Sequence, residues 1–341
     1  MDEQIDVLLA TYNGEKYLNE QIDSILNQTY KNIRLIISDD CSKDGTVEII
    51  KQYQQKDNRV ILYEQQQNLG YVKNFEFLLT KVENEIYMLS DQDDVWKNDK
   101  IEKSYNKLKQ EDADLVFTDV EIVDANLNMI YPSFNKFMKL ERKIKRTTGV
   151  ERQYLYNCVT GCTVMSKKKF IKKILPLPTN SKYLIHDMWV GLIVAMYGKM
   201  VYLDETTIYY RQHGNNQVGT EKLSHGFTEF EDVRNLFINV KLGVFGGYVE
   251  NNDRFTEQLR EKNKKALEYY QNIKDKKYIN FKGWGIFHQL YKNETMYYYI
   301  LSFIIMNMPI LGKGLFKIRN LAKKIRKAWN YGKRKWYCNR N

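Results

Sequence analysis

Over the first 120 residues, short apolar runs alternate with stretches of helical periodicity, and few folds tolerate that rhythm. Val7, Leu8, Leu9 and Ala10 form the first run. Residues 16–27 then carry Tyr17, Leu18, Ile22, Ile25 and Leu26 on one helical face. Runs at 33–37, 60–63, 86–89 and 115–117 read as further buried strands, with helical patterns at 46–53, 70–79 and 99–108 between them. Strand and helix in strict alternation imply parallel β-α-β units joined by right-handed crossovers. Ligands of such sheets sit beyond the carboxyl ends of the strands, and the polar motifs of this chain fall there.

A chain of 341 residues with 43% hydrophobic and 28% charged residues has the composition of one large or two modest globular domains, so a disordered tail protein, a collagen and a disulfide scaffold are excluded. The net charge of +11 would usually raise nucleic acid or an anionic membrane as a partner. Residues 295–341 contain eleven basic residues and no acid, so residues 1–294 are formally neutral and the basicity belongs to the tail. Cys41, Cys158, Cys162 and Cys338 lack zinc-site spacing; Cys158 and Cys162 share a helical turn but would need two more ligands. They read as reduced thiols of a cytosolic protein. The run at 7–10 is too short for the apolar core of a signal peptide.

Three strand ends carry chemistry: Thr11-Tyr12-Asn13-Gly14, Ser38-Asp39-Asp40-Cys41-Ser42-Lys43-Asp44-Gly45, and Ser90-Asp91-Gln92-Asp93-Asp94-Val95-Trp96. Taken singly, each is also an ordinary turn or helix cap. A calcium loop counted from Asp40 fails because Lys51 stands where its twelfth-position glutamate belongs. Glycine-rich phosphate loops are missing after every strand. Asp91, Asp93 and Asp94 directly after a buried strand concentrate charge that a cation would relieve, and hard oxygen ligands favour Mg²⁺ or Mn²⁺. The competing reading is a solvated acidic turn.

The succession of Ala-Thr-Tyr-Asn-Gly at 10–14, Ser-Asp-Asp-x-Ser-x-Asp-Gly-Thr at 38–46, Gln-Asn-Leu-Gly at 67–70 and Ser-Asp-Gln-Asp-Asp-Val-Trp at 90–96 closely resembles the family 2 glycosyltransferases of the GT-A fold. It looks most like their bacterial rhamnosyltransferase-like branch. The resemblance continues through Thr160-Gly161-Cys162-Thr163, His186-Asp187-Met188-Trp189 and Tyr210-Arg211-Gln212-His213-Gly214-Asn215-Asn216, covering roughly residues 4–220. It implies an α/β fold with a mostly parallel, Rossmann-like sheet flanked by helices. Thr11, Tyr12 and Asp40 would surround the base and ribose of a nucleotide, as ring stacking and carboxylate acceptance permit. Asp93 and His213 would hold the metal, with Asp91 a second ligand or a ribose contact. Asp187 would be the base that deprotonates the acceptor hydroxyl in an inverting transfer. Its bland alternative is a first-turn acid ahead of a helix, and that of His213 a surface histidine. His186 would contact the sugar or orient its loop. Lys73, Asn74 and Trp96 lie just beyond strand ends, within expected reach of the diphosphate or donor sugar, though Lys73 reads equally as a solvated helix residue. Gly161 would let backbone approach donor or acceptor closely.

Beyond about residue 218 the pattern turns helical, with charged faces at 229–243 and 254–273 that suit packing on the catalytic domain or on a second copy in a homodimer. The sixteen residues 296–311 carry no charge, yet fall short of the roughly 20 needed to span a bilayer and contain Pro309. They read as an interfacial or re-entrant segment, with a buried core helix as the alternative. From 315 to 336, apolar residues alternate with Lys and Arg at near-helical spacing, and Trp329, Trp336 and Tyr337 suit a headgroup boundary on an anionic leaflet. RNA is the weaker partner, because an uncharged aromatic-aliphatic run precedes the basic part.

The organisation expected is a catalytic domain at 1–220, a helical extension at 221–294 and a membrane-associating tail at 295–341. The expected activity is metal-dependent inverting transfer, with dTDP-rhamnose the favoured donor and a lipid-linked or cell-surface polysaccharide the acceptor, on the cytoplasmic face of the membrane. The alternatives are a UDP-hexose or UDP-hexosamine transferase of the same fold, and a non-catalytic nucleotide-sugar-binding assembly protein.

Overall fold

The computed structural model describes residues 3–138, 140–141, 144, 149–155, 157–179, 181, 183–213, 230–274, 284–292 and 296–308. The chain divides into two compact units, Met1–Ser224 and His225–Asn341.

In the first unit the alternation yields β1 (Ile5–Thr11), α1 (Glu15–Leu26), β2 (Ile33–Asp39), α2 (Thr46–Lys56), β3 (Val60–Glu64), α3 (Tyr71–Thr80) and β4 (Ile86–Ser90). Then follow β5 (Val95–Trp96), α4 (Lys100–Gln110), β6 (Leu115–Val123), β7 (Met129–Tyr131), β8 (Met165–Lys167) and β9 (Met200–Arg211). The sheet order is β3-β2-β1-β4-β8-β6-β9-β5, with β7 on β6. Strands β1 to β4 pair in parallel, as the alternation requires. The other half is mixed: β8 lies antiparallel to β4 and β6, β5 antiparallel to β9, and β9 parallel to β6. The sheet is therefore less parallel than its first four strands suggest, because two- and three-residue strands can run back without a crossover helix.

Hydrophobic strand residues and the apolar face of α1 make one core, from Ile5, Val7 and Leu9 through Leu18, Ile22 and Ile25 to Val116 and Ile208. Trp96 belongs to it at 3% exposure, with Lys100 Nζ 4.3 Å from its ring centroid. That ring packs in the interior, which corrects its expected role at the donor sugar: β5 turns the residue inward directly after the acidic loop.

The second unit contains helices Phe230–Glu250, Glu257–Lys274, Trp284–Tyr291 and Met296–Asn307. Aromatic side chains fill its interior; Phe245 stacks on Tyr270, whose hydroxyl lies 2.6 Å from that of Tyr291. The uncharged segment supplies Phe303, Met306 and Asn307 to this interior, with Asn307 bonded both ways to the Tyr269 hydroxyl, while Ile300 is exposed. Among the described residues, no helix is long and apolar enough to cross a membrane. Residues 309–341, including the basic amphipathic stretch, lie outside the described residues, as do Gly214, Asn215 and Asn216.

Candidate active site

The loops that follow β1, β2 and β4 are tied to one another by side chains that bond backbone. Gln92 clamps Tyr12 from both sides, accepting its N–H at 2.8 Å and donating to its carbonyl at 3.0 Å. A Cβ at Gly14 would lie 2.3 Å from Gln92 Oε1, so only glycine leaves the clamp room. Asn13, at φ 48°, receives Ser42 Oγ on its N–H and accepts from Lys43 N. Thr11 donates to Asp39 Oδ1 at 3.0 Å. Asp40 accepts from the N–H groups of Leu69 and Gly70 at 2.6 and 2.8 Å, which joins the β2 loop to the start of α3. Among the expected nucleotide contacts, Tyr12 offers its ring to solvent at 44% exposure, whereas Thr11 and Asp40 are buried and spend polar atoms on holding loops. Asn74 is likewise buried, donating to Ser38 O. Lys73 is held by Glu76 at 2.6 Å, and Glu76 also takes the N–H of Leu177.

Beyond β4 the acids crowd. Asp91 is pushed up to about 7, first by lost hydration and then by the charges of Asp93 and Asp187. Asp94 is driven well above the usual carboxylate range by burial and by the same two loop acids, Asp93 and Asp91. Asp93 faces His213, with Oδ2 2.9 Å from Nε2. Residues missed by the sequence reading hold this pair. The His213 ring stacks on Tyr17 at 4.9 Å, and the Arg211 guanidinium covers the same ring at 4.4 Å. Arg211 also donates to the Asp93 and Ala125 carbonyls and pairs with Glu20. The signal for Tyr17 was only its place on an apolar helix face; Arg211 stood in a quoted motif without a role.

Two donor sets lie here. Asp91, Asp94 and Cys162 offer atoms within 4.8 Å of one another. Burial and the neighbouring carboxylates push the Cys162 thiol well up, and sulfur is a soft donor that suits a hard ion such as Mg²⁺ less than carboxylate oxygen does. Asp93 and His213 bring a carboxylate oxygen of the acidic loop and an imidazole nitrogen from beyond β9 to one point; the carboxylate is a donor that suits Mg²⁺ or Mn²⁺.

The opposite wall is made by the single helical turn Gly161–Thr163 and the helix His186–Tyr197. Asp187, 7% exposed, opens that helix; its Oδ1 accepts from Asn157 Nδ2 at 2.9 Å and from Met188 N at 2.5 Å, and its Oδ2 from Gly161 N at 3.2 Å. Burial raises its carboxyl to about 6 despite these donors. His186 stacks on Phe75 at 4.1 Å, and neither ring nitrogen has a hydrogen-bond partner among the described residues. Burial pulls it down to about 3, so the ring is neutral. A Cβ at Gly161 would sit 2.9 Å from His186 Nε2, so the close approach this glycine permits is to a side chain of the wall itself.

The sheet with its interlocked strand-end loops has the GT-A architecture of glycosyltransferases, as the proteins it matches show. Residues 6–175 match the family described as Glycosyl transferase family 2. The chain is 33% identical to a dTDP-rhamnosyl transferase, RfbG of Shigella flexneri, over 62% of this chain and 73% of that protein. The chain belongs to glycosyl transferase family 2. Its fold is shared by Staphylococcus aureus TarS in complex with UDP-GlcNAc, at a TM-score of 0.54 and 18% identity over 79% of this chain and 72% of the other. It is shared too by a Pyrobaculum calidifontis mannosyltransferase in complex with GDP-Man and Mn²⁺, at a TM-score of 0.52 and 12% identity over 90% and 84% of the two chains.

Proposed function

We propose that this glycosyltransferase moves L-rhamnose from dTDP-rhamnose, with inversion, to a hydroxyl of a lipid-linked or cell-surface polysaccharide, using Mg²⁺ or Mn²⁺ held by Asp93 and His213. The carrying observation is that Asp187 Oδ2 takes the N–H of Gly161 at 3.2 Å while the next residue, Cys162, lies with Asp91 and Asp94 within 4.8 Å, which makes the candidate base a neighbour of the acidic loop. The donor follows the relationship to the Shigella dTDP-rhamnosyl transferase.

Asp187 takes the proton of the acceptor hydroxyl as that oxygen bonds the anomeric carbon from the face opposite the leaving group. The bond from the anomeric carbon to the diphosphate breaks, and the nucleoside diphosphate leaves with the electron pair. A divalent ion, when bound, offsets the charge of the departing diphosphate. Asp93 and His213 present its ligands, Tyr17 and Arg211 keep His213 in place, and Asp91 is a second ligand or a ribose contact. Tyr12 gives a ring for the base, while Thr11 and Asp40 shape the nucleotide pocket through the loops they hold. Neutral His186, buried against Phe75 with Gly161 leaving room for its ring, orients the loop that carries Asp187. The basic tail holds the enzyme on the cytoplasmic face of an anionic membrane, in one plane with a lipid-linked acceptor.

Calorimetric titration with dTDP-rhamnose, UDP-glucose, UDP-galactose and UDP-N-acetylglucosamine, each with Mn²⁺ and again with excess chelator, tests the donor. Metal-dependent binding of dTDP-rhamnose alone supports the reading; binding of a UDP-sugar in its place replaces the donor, and binding of none by folded protein removes it. Because Phe303, Met306 and Asn307 pack in the helical unit, the membrane test is removal of residues 313–341 only. Retained sedimentation of that variant with anionic vesicles would reject the tail as anchor.

A further inference from the structure

The amides around Asp187 form a chain whose direction is dictated at both ends by backbone. A side-chain amide can face a carboxylate with either end, and only its NH₂ end helps a charged oxygen. Asn157 donates Nδ2 to Asp187 Oδ1, and its own Oδ1 accepts from Val159 N at 3.2 Å and from Gln153 Nε2 at 2.9 Å. Gln153, fully buried, accepts the N–H of Cys158 on Oε1 at 3.3 Å and donates Nε2 to the carbonyl of Met188 at 3.2 Å. A backbone N–H only donates and a backbone carbonyl only accepts. Cys158 and Met188 therefore fix the amide of Gln153, and Gln153 with the N–H of Val159 fixes that of Asn157. The N–H aimed at Asp187 follows without freedom. Room for this arrangement comes from Gly191, where a Cβ would lie 2.9 Å from Gln153 Nε2 and 3.1 Å from its Cδ.

We propose that Gln153 and Asn157 are positioning residues: an oriented amide relay that sets the rotation of the Asp187 carboxylate and ties it to the first turn of its own helix. The inference rests on the reading of Asp187 as the base. Oδ1 receives Asn157 Nδ2 and Met188 N, and Oδ2 receives Gly161 N; the N–H of Asp187 itself is a further donor to the carboxylate. The relay thus anchors Oδ1 and with it the plane in which the carboxylate meets the acceptor hydroxyl. Because Gln153 bonds both Asn157 and Met188 O, the carboxylate and the backbone behind it move as one body.

The test uses the full chain and three variants. Asn157→Leu keeps the branching at Cγ and removes the donor; a base misaligned in this way is expected to lower kcat about 100-fold, with KM for the donor within about twofold. Gln153→Glu keeps the shape but has no N–H to give, so Asn157 must turn its NH₂ toward Glu and its oxygen toward Asp187; kcat is expected to fall at least as far. Asp187→Asn reports the base itself. Donor binding by calorimetry identifies folded protein, and Asn157→Asp, which keeps an acceptor for Val159 N and Gln153, stands in for a variant that does not fold, with a larger expected loss. Activity lost in Asp187→Asn but unchanged kcat in the relay variants overturns the relay and leaves the base. Raised KM at unchanged kcat in Asn157→Leu makes Asn157 a binding wall and overturns it too. Activity retained in Asp187→Asn overturns the base reading on which the relay rests.

Discussion

The two walls of the cleft treat their carboxylates in opposite ways. The strand-end wall crowds Asp91, Asp93 and Asp94 into one loop, where mutual repulsion and lost hydration raise two of the three. The helix wall carries a single acid, Asp187, and surrounds it with N–H donors from Asn157, Gly161 and Met188, yet burial still lifts it to about 6. Crowding without matching cations makes a place that gains from a metal. Burial with N–H donors makes a place where one charge survives near neutral pH and stays basic enough to take a proton. The same residue type serves two chemistries because its neighbours differ.

The largest expected effect separates the walls outright. Asp187→Asn is expected to lower transfer by about 10³-fold or more while metal-dependent donor binding stays within twofold; parallel kinetics and calorimetry read both. Asp93→Asn is the converse: metal-dependent donor affinity is expected to fall by about 100-fold, and a donor titration insensitive to chelator would break the comparison. On pH, Asp187 must be ionised to act, so kcat/KM is expected to fall about tenfold per unit below roughly pH 6, and a profile flat to pH 5 would remove it as the base.

The stability readout is gentler. Folded Asp91 and Asp187 bind protons more tightly than the unfolded chain, whose carboxyls lose them near 3.8. Unfolding free energy from these groups therefore declines as pH rises from about 4 to about 7, and saturating Mn²⁺ is expected to flatten the Asp91 part; melting curves with and without metal measure it. The smallest effect is Lys73→Ala, expected to change donor KM less than twofold because Glu76 already holds that lysine at the surface.

Much of the strand-end wall was readable in the chain. Apolar runs of four or five residues ending in Ser-Asp or Thr-Tyr mark both the strand and its carboxyl end, so Tyr12 and Asp93 were expected in strand-end loops and lie there. The mixed half of the sheet was not readable: β5 and β8, at two and three residues, are too short to show a period, and so Trp96 looked ligand-facing. The stack of Tyr17 with Arg211 and His213 joins the start of α1 to the end of β9, and no local pattern records such a meeting. Asn157 and Gln153 are single amides in an apolar stretch, whose importance comes only from which backbone groups face them. Asp187 was found through the motif around it, because spacing alone describes any acid opening a helix.

Gly161 has a consequence for redesigning the wall around Asp187. With a would-be methyl 2.9 Å from His186 Nε2 and 3.4 Å from Asp187 Cβ, positions 161 and 186 form one unit of substitution. A library that varies 161 while keeping the imidazole samples mostly clashes, and one that shrinks 186 frees 161 to vary with it. Libraries at this wall should therefore draw both codons together, with Asp187 held constant.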